Sequence, residues 1–503
     1  MTSVALLGLL PVAAANPQRL ADVHDALGHE GCLNPTIHQL HQEWESLDAG
    51  TRADITRLLR PSRADLFDRG PQAAPPPPPL AEDTCWGNDY DNELKNEHFA
   101  IQWNDGDISE SDAQKLMAWL EDGWRVQVEE LGWRDPDGIN SYLMPIMIER
   151  GNYPSAYTYV ENCRGNWLPY IVIQSSSFYD DEWAASMAVH EFNHALQFAY
   201  GFATEFWYAE ATAIWMETQV YEFRDWTTYI RGYSDNPHIA MSASSQQDQD
   251  VFWHMYGMAV WPIYLDEYQG GPDIVRQTWE VAASMSGTYT AGAEDVTTEV
   301  GIDFDAAYLD FIARVSVMDF ENHDMMPRVA ASDTVSSLPA EGESGADAPE
   351  GRGQNFIKIK DDLGKGDLKV TVTGEDANWA LVLAEVDTES VLRVVTAKGQ
   401  EGEPTELILT DYGDETVYLI VSPLKDSDTP RDYQWRAELI DADAPDPEDD
   451  TEDDNNDDPA DEGKNPENGE DPELTTGCGC NSQGAPVGGL LLAGLAVLGR
   501  RRR

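Results

Sequence analysis

Residues 85–329 pass from short apolar runs to long amphipathic stretches. HFAIQW, SYLMPIMIE and PYIVIQSS carry the alternating or continuous aliphatic pattern of strands. Between the first two, SESDAQKLMAWLEDGWRVQVEELGW repeats apolar residues at helical spacing, with Leu116, Trp119, Leu120 and Trp124 on one face. Helical patterns follow at about 182–200, 205–223, 251–268, 272–284 and 303–318. Strands first and helices after predict an α+β domain. Beyond residue 353 the period changes again. FIKIK, LKVTVTG, WALVLAEV, VLRVVTA, TELILTD, TVYLIVSPL and YQWRAELI are short alternating segments punctuated by turns, which predicts an all-β sandwich over 354–442. The small, acidic, Gly-rich segment 330–353 between the two reads as a linker. No internal repeat stands out.

The two ends follow other rules. Residues 1–15, an apolar run closed by Ala13-Ala14-Ala15, read as a secretory signal peptide too short to span a membrane. Residues 16–70 are polar and weakly helical, and the Pro-rich stretch 71–84 with Pro75–Pro79 is a stiff spacer. A helical block set off in this way reads as a pro-segment or an accessory region. Its four histidines (His24, His29, His38, His41) are scattered on polar segments and read as solvated. Residues 443–477 are dominated by Asp, Glu, Pro and Asn and cannot bury a core, which predicts a disordered tether. The last segment, 478–503, sets Cys478-Gly479-Cys480 before an apolar run from Ala485 to Gly499 and four arginines. That order resembles the myxobacterial C-terminal sorting signal, which implies an exported protein held at the cell surface or released after processing of the tail.

Charge narrows the partners. Of 503 residues, 92 are acidic and 32 are Lys or Arg, for a net charge of −60, and no lysine lies between Lys115 and Lys358. Phosphate binding needs clustered cations, so nucleic acid and anionic membrane surfaces are poor partners. Such a surface repels itself unless salt screens it, which fits a soluble exported protein or one from a saline habitat. Five cysteines are too few for a disulfide scaffold. They fit one bridge in an oxidising compartment, with Cys85–Cys163 the expected pair, although sequence alone leaves the pairing open.

The chemistry concentrates at HEFNH, His190 to His194. On a helix, residues i and i+4 share a face, so both imidazoles reach one cation. Zinc in such a site lowers the pKa of a bound water towards ~7, and Glu191 is the carboxylate placed to take its proton. The flanking DEWAASMAVHEFNHALQFAYG is a helical, apolar pattern stopped by Gly201, and the strand PYIVIQSS precedes it.

A third ligand is needed, and the position six after His194 is Tyr200, not His. Glu205, Glu210 and Glu217 compete on the next helix. With Gly201 ending the first helix and Thr204 as expected N-cap of the second, antiparallel helices set His194 and Glu210 level, each about 9 Å from the turn. Glu205 sits at the turn and points elsewhere. Glu217 shares the face of Glu210 but lies roughly 10 Å deeper, where it could orient a ligand histidine. EGCLN at Glu30–Asn34 is similar to a peptide deformylase box, but 157 residues separate Cys32 from His190 and that reading fails.

Together, HEFNHALQF and WYAEATAIWME resemble gluzincin metallopeptidases, and the region 85–325 resembles a family of secreted myxobacterial metalloproteases. The resemblance implies an α+β zincin fold with Zn2+ held by His190, His194 and Glu210, and an edge strand able to pair with an extended peptide. FWHMYGMAVWPIYLDEYQGG is similar to the gluzincin helix that supplies an oxyanion donor, which makes Tyr256 the first candidate and His254 the second. The expected activity is hydrolysis of protein or peptide substrates. A silent zincin acting as a surface binding protein, or a non-proteolytic zinc hydrolase, stands beside it. Cleavage specificity and oligomeric state are not legible.

Overall fold

The computed structural model describes residues 84–440, apart from 87, 222–225, 246, 286–290, 414 and 426, together with Leu47 and Thr51. The expected signal peptide, pro-segment, Pro-rich linker, acidic tether and sorting tail lie outside the described residues, save Leu47, Thr51 and Thr84. Five strands come first: β1 (Asn92–Lys95), β2 (Phe99–Trp103), β3 (Met144–Glu149), β4 (Ala156–Cys163) and β5 (Asn166–Gln174). They form one mixed sheet in the order β1-β2-β3-β5-β4. Strands β2, β3 and β5 run parallel, and β1 and β4 close the two edges antiparallel. Helices α1 (Glu110–Trp124) and α2 (Asp181–Ala199) lie against this sheet, which is why β2 and β3 read as near-continuous apolar runs. Cys85 and Cys163 form the expected disulfide and tie the start of the described domain to the end of β4.

Ser109 caps α1 in a reciprocal box with Asp112. The helix then widens into a π-helical turn, Arg125–Glu130, in which Leu131 N–H reaches back to the carbonyl of Val126.

After α2 the chain is helical: α3 (Phe206–Val220), α4 (Trp226–Asp235), α5 (Gln249–Gly257), α6 (Val260–Gln269), α7 (Pro272–Met285), α8 (Ala293–Glu299) and α9 (Phe304–Val315). Two expectations are corrected here. Glu205, not Thr204, is the N-cap of α3; Thr204 instead bridges to Ala291. The single helix expected over 251–268 is two, broken at Met258–Ala259. Pro262 is the cause: it has no N–H to donate, and its ring would strike the Met258 carbonyl in a continuous helix. That carbonyl takes the Trp261 N–H instead.

Helices α4 and α5 cross backbone to backbone. A Cβ on Gly232 would lie 2.0 Å from the Trp253 carbonyl oxygen, and one on Gly257 would lie 2.3 Å from the Tyr233 nitrogen. No larger residue fits at either position.

The C-terminal part is a sandwich of two sheets. β8 (Asn355–Ile359), β9 (Gly366–Gly374), β10 (Trp379–Val386), β11 (Val391–Gly399), β12 (Thr405–Tyr412), β13 (Thr416–Pro423) and β14 (Tyr433–Ile440) are the seven strands expected. The segment 330–353 is not a plain linker. It holds β6 (Asp333–Val335) and β7 (Ala340–Glu343), which pair with β8 and β14 and complete sheets of order β11-β10-β13-β8-β6 and β12-β9-β14-β7. Strands of three and four residues carry too little alternation to be read from sequence.

β10 is buried along its whole length. Trp379, Leu381 and Leu383 face the inside of the sandwich, while Ala380, Val382, Ala384 and Val386 belong to the core of the α+β part. Helix α9 lies across β10 and β11 at this junction, where the Tyr308 hydroxyl donates to the Arg352 carbonyl (2.7 Å) and contacts the Ser422 hydroxyl (2.8 Å). Among the described residues, no helix is long and apolar enough to cross a membrane.

Candidate metal centre

Helix α2 carries HEFNH and is held at both ends. At its start the Asp180 carboxylate accepts the Glu182 and Trp183 N–H groups, both at 3.0 Å. At its end Gly201 takes φ +75°, its N–H bonds Phe198, and the Phe202 N–H bonds Gln197. This Schellman turn reverses the chain into α3 and lays the Phe202 ring beside His194, centroids 6.1 Å apart. The sequence from Ala184 to Phe198 is buried, so the motif lies inside the protein.

Three side-chain atoms converge. His190 Nε2 lies 3.1 Å from Glu210 Oε2, His194 Nε2 lies 3.1 Å from His190 Nε2, and His194 Nε2 lies 3.5 Å from Glu210 Oε2. All three residues are buried, and they form the one group found among the described residues that could hold a metal ion. Ligands about 2.0–2.1 Å from a tetrahedral ion stand roughly 3.3 Å apart, and the observed triangle has that size. Glu210 Oε1 is buried without a hydrogen bond, as suits a carboxylate whose charge is meant for an ion.

Outside the triangle, each ring is held at its other nitrogen. Glu217 Oε1 accepts from His190 Nδ1 at 2.9 Å, and Gln197 Oε1 meets His194 Nδ1 at 2.8 Å. Glu217 thus stands where its place on α3 suggested. Gln197 was missed; its signal was the i+3 spacing from His194 on the same helix.

The electrostatics follow from this packing. Burial would depress His190, but the hydrogen bonds and charges of Glu210 and Glu217 outweigh it and hold the ring up at about 10. Burial would raise Glu210, yet His194 and His190 pull it down to about 2. Glu191 goes the other way. Its burial raises it above the usual carboxylate value, against the pull of His194, His190 and a hydrogen bond from Thr158.

Thr158, on the edge strand β4, lies 2.7 Å from Glu191 Oε2 and 2.8 Å from the Glu191 carbonyl oxygen. Its one hydroxyl proton serves one of them at a time. The sequence reading had no strand here and so missed Thr158. The edge beside α2 is β4, whereas PYIVIQSS (β5) is an interior strand.

The two aromatic-helix candidates separate. Tyr256 sets its ring 6.3 Å from that of His190 and 5.5 Å from that of Tyr229. His254 is two residues, or about 200°, away around α5 and packs on Tyr233 instead (5.9 Å). Neither nitrogen of His254 has a hydrogen-bond partner, and its burial, with a smaller push from His238, depresses it to about 3. Glu205 stays at the turn, where its carboxylate accepts from Trp207 Nε1 at 2.9 Å.

Among solved structures, the pre-peptidase C-terminal domain of a collagenase from Bacillus anthracis is similar over 22% of this chain and all of that domain, at 14% identity and a TM-score of 0.17. Tripeptidyl peptidase 2 is similar over 23% of this chain and 12% of its own, at 8% identity and a TM-score of 0.18. A beta-glucosidase from Paenibacillus barengoltzii is similar over 21% of this chain and 11% of its own, at 16% identity and a TM-score of 0.13. This chain therefore spans only a small part of the latter two. No curated protein matches it. A family model does match, over residues 83–420, so it takes in the metal-site helices together with most of the sandwich: the chain belongs to the family described as a family of unknown function, DUF6055.

Proposed function

We propose that the chain is an exported zinc metallopeptidase of gluzincin type, acting on protein or peptide substrates. The observation that carries this reading is the buried triangle of His190 Nε2, His194 Nε2 and Glu210 Oε2, with Glu191 between the two histidines in sequence. Two imidazoles and one carboxylate, neutral and anionic nitrogen and oxygen donors, are a donor set that suits Zn2+.

When bound, the ion supplies Lewis acidity, polarising a carbonyl and acidifying water. The chain's own groups supply the rest. Glu191, in a buried setting that favours its protonated form, accepts a proton and later returns it to a leaving amine. Thr158 holds that carboxylate on the side facing β4. The Tyr256 hydroxyl is the donor for an oxyanion next to His190. β4 offers an edge along which an extended peptide can add as a further strand.

The test is metal analysis of the purified full chain, followed by cleavage of a peptide library with and without chelator. Stoichiometric zinc with chelator-sensitive cleavage is expected. Stoichiometric zinc without peptide cleavage would favour the non-proteolytic hydrolase or the binding protein, and no bound metal would end both enzyme readings and leave only the binding protein.

A further inference from the structure

Behind His194 runs a line of three side-chain amides, each fully buried: Gln197, Asn193 and Gln127. Gln197 Nε2 lies 3.0 Å from the Ala209 carbonyl and 2.8 Å from Asn193 Oδ1. Asn193 Nδ2 lies 3.1 Å from Gln127 Oε1, and Gln127 Nε2 lies 3.1 Å from the Val189 carbonyl. The line crosses from α3 through α2 to the π-helical turn after α1.

The direction of every bond is fixed by its ends. A backbone carbonyl can only accept, so the amide group of Gln197 facing Ala209 must be its NH2. Its oxygen then faces His194 Nδ1, which must carry the proton. At the other end, the Val189 carbonyl requires the NH2 of Gln127. The Gln127 oxygen then accepts from Asn193, whose oxygen accepts from Gln197. Both ends impose the same polarity, and no amide in the line can flip without setting two like groups face to face.

We propose that Gln197, backed by Asn193 and Gln127, is a positioning residue that locks His194 in the Nδ1–H tautomer and so keeps a bare Nε2 aimed at the metal triangle. The proposal rests on the metal reading above. It gives the buried amides a purpose that packing alone does not: apolar side chains would fill the gap between α1 and α2 without three polar groups to satisfy. It also gives the π-helical turn a role, since that turn carries Gln127 at the anchored end of the line.

Two substitutions separate this role from a structural one. Gln197→Met removes the acceptor for His194 Nδ1 and should weaken Zn2+ binding by roughly 10–100-fold. Gln197→Glu keeps that acceptor while losing both donors, so it should keep zinc affinity close to wild type. A merely structural amide predicts the reverse order, because a carboxylate facing the Ala209 carbonyl and Asn193 Oδ1 is worse placed than a thioether. Gln127→Met should weaken zinc in the same direction as Gln197→Met and add little to it in the double variant, because both cut one line.

Affinity is read on the full chain by competition with a chromophoric chelator. The His194 tautomer is read from ring 15N shifts in the chelator-stripped protein, which needs no metal. Wild-type His194 as Nδ1–H is expected. Nε2–H in the wild type, full zinc affinity in Gln197→Met, or strictly multiplicative effects in the double variant would overturn the proposal. A wild type that binds no zinc but shows Nδ1–H His194 would end the metal reading and leave the relay standing. Should Gln197→Met fail to fold, the wild-type tautomer and Gln197→Glu still decide.

Discussion

Glu217 and Glu210 grip the two nitrogens of one imidazole: Oε1 of Glu217 lies 2.9 Å from His190 Nδ1, and Oε2 of Glu210 lies 3.1 Å from its Nε2. Seven residues make almost two full helical turns, so a single helix presents both carboxylates to the ring. In the proposed metal centre, Glu210 is the ligand and Glu217 sets the ring's tautomer and tilt. Glu217→Ala should weaken metal binding by about 10–100-fold without abolishing it, as removal of a group behind a ligand does. Metal titration checks this, and an unchanged affinity would remove the role.

Glu210 and Glu205 make the contrasting pair. Glu210→Ala deletes a corner of the triangle and should cost the metal as well as any activity. Glu205→Ala loses a contact to Trp207 at the start of α3 and should leave metal content near wild type. Elemental analysis of the two variants decides, and a fully metallated Glu210→Ala protein would refute the ligand set.

Glu191→Gln should bind metal normally and lose hydrolysis by roughly 10²–10⁴-fold, because an amide cannot accept the proton. Turnover against zinc content in the same preparation is the measurement. Wild-type turnover would exclude Glu191 as base.

His254 gives a pH dependence that does not involve the metal. Its folded value is depressed to about 3 from an ordinary 6.5, chiefly by burial. The unfolded chain therefore takes up a proton first as pH falls. The stability this residue allows is complete above pH ~6.5 and is lost progressively down to about pH 3, by on the order of several kcal/mol. His254→Leu should flatten that part of the stability curve relative to wild type in urea unfolding. Identical slopes would show that His254 titrates normally.

The site was legible where chemistry has a spacing. His190 and His194 four apart, Glu191 between them and Glu210 level across the turn were readable because a helix has a fixed rise and twist. The order of Tyr256 before His254 came from the gluzincin resemblance alone, since nothing in the periodicity says which side of α5 faces His190. Gln127 and Asn193 carried no signal, and Gln197 only its i+3 spacing from His194. A buried amide and a solvated one look alike in a helical pattern. Pro262 did announce the break between α5 and α6, and was overlooked because the apolar pattern runs on through it. The sandwich strands were clear wherever they alternate, and β6 and β7 were not because they are too short to show a period.

β10 ties the molecule's two halves into one cooperative unit. Trp379, Leu381 and Leu383 seal one core and the even-numbered side chains the other, so neither half can shed the other without wetting an aliphatic row from Ala380 to Val386. A gene cut at residue 353 would yield two sticky fragments instead of two self-standing domains, and melting of the whole chain should trace a single calorimetric peak.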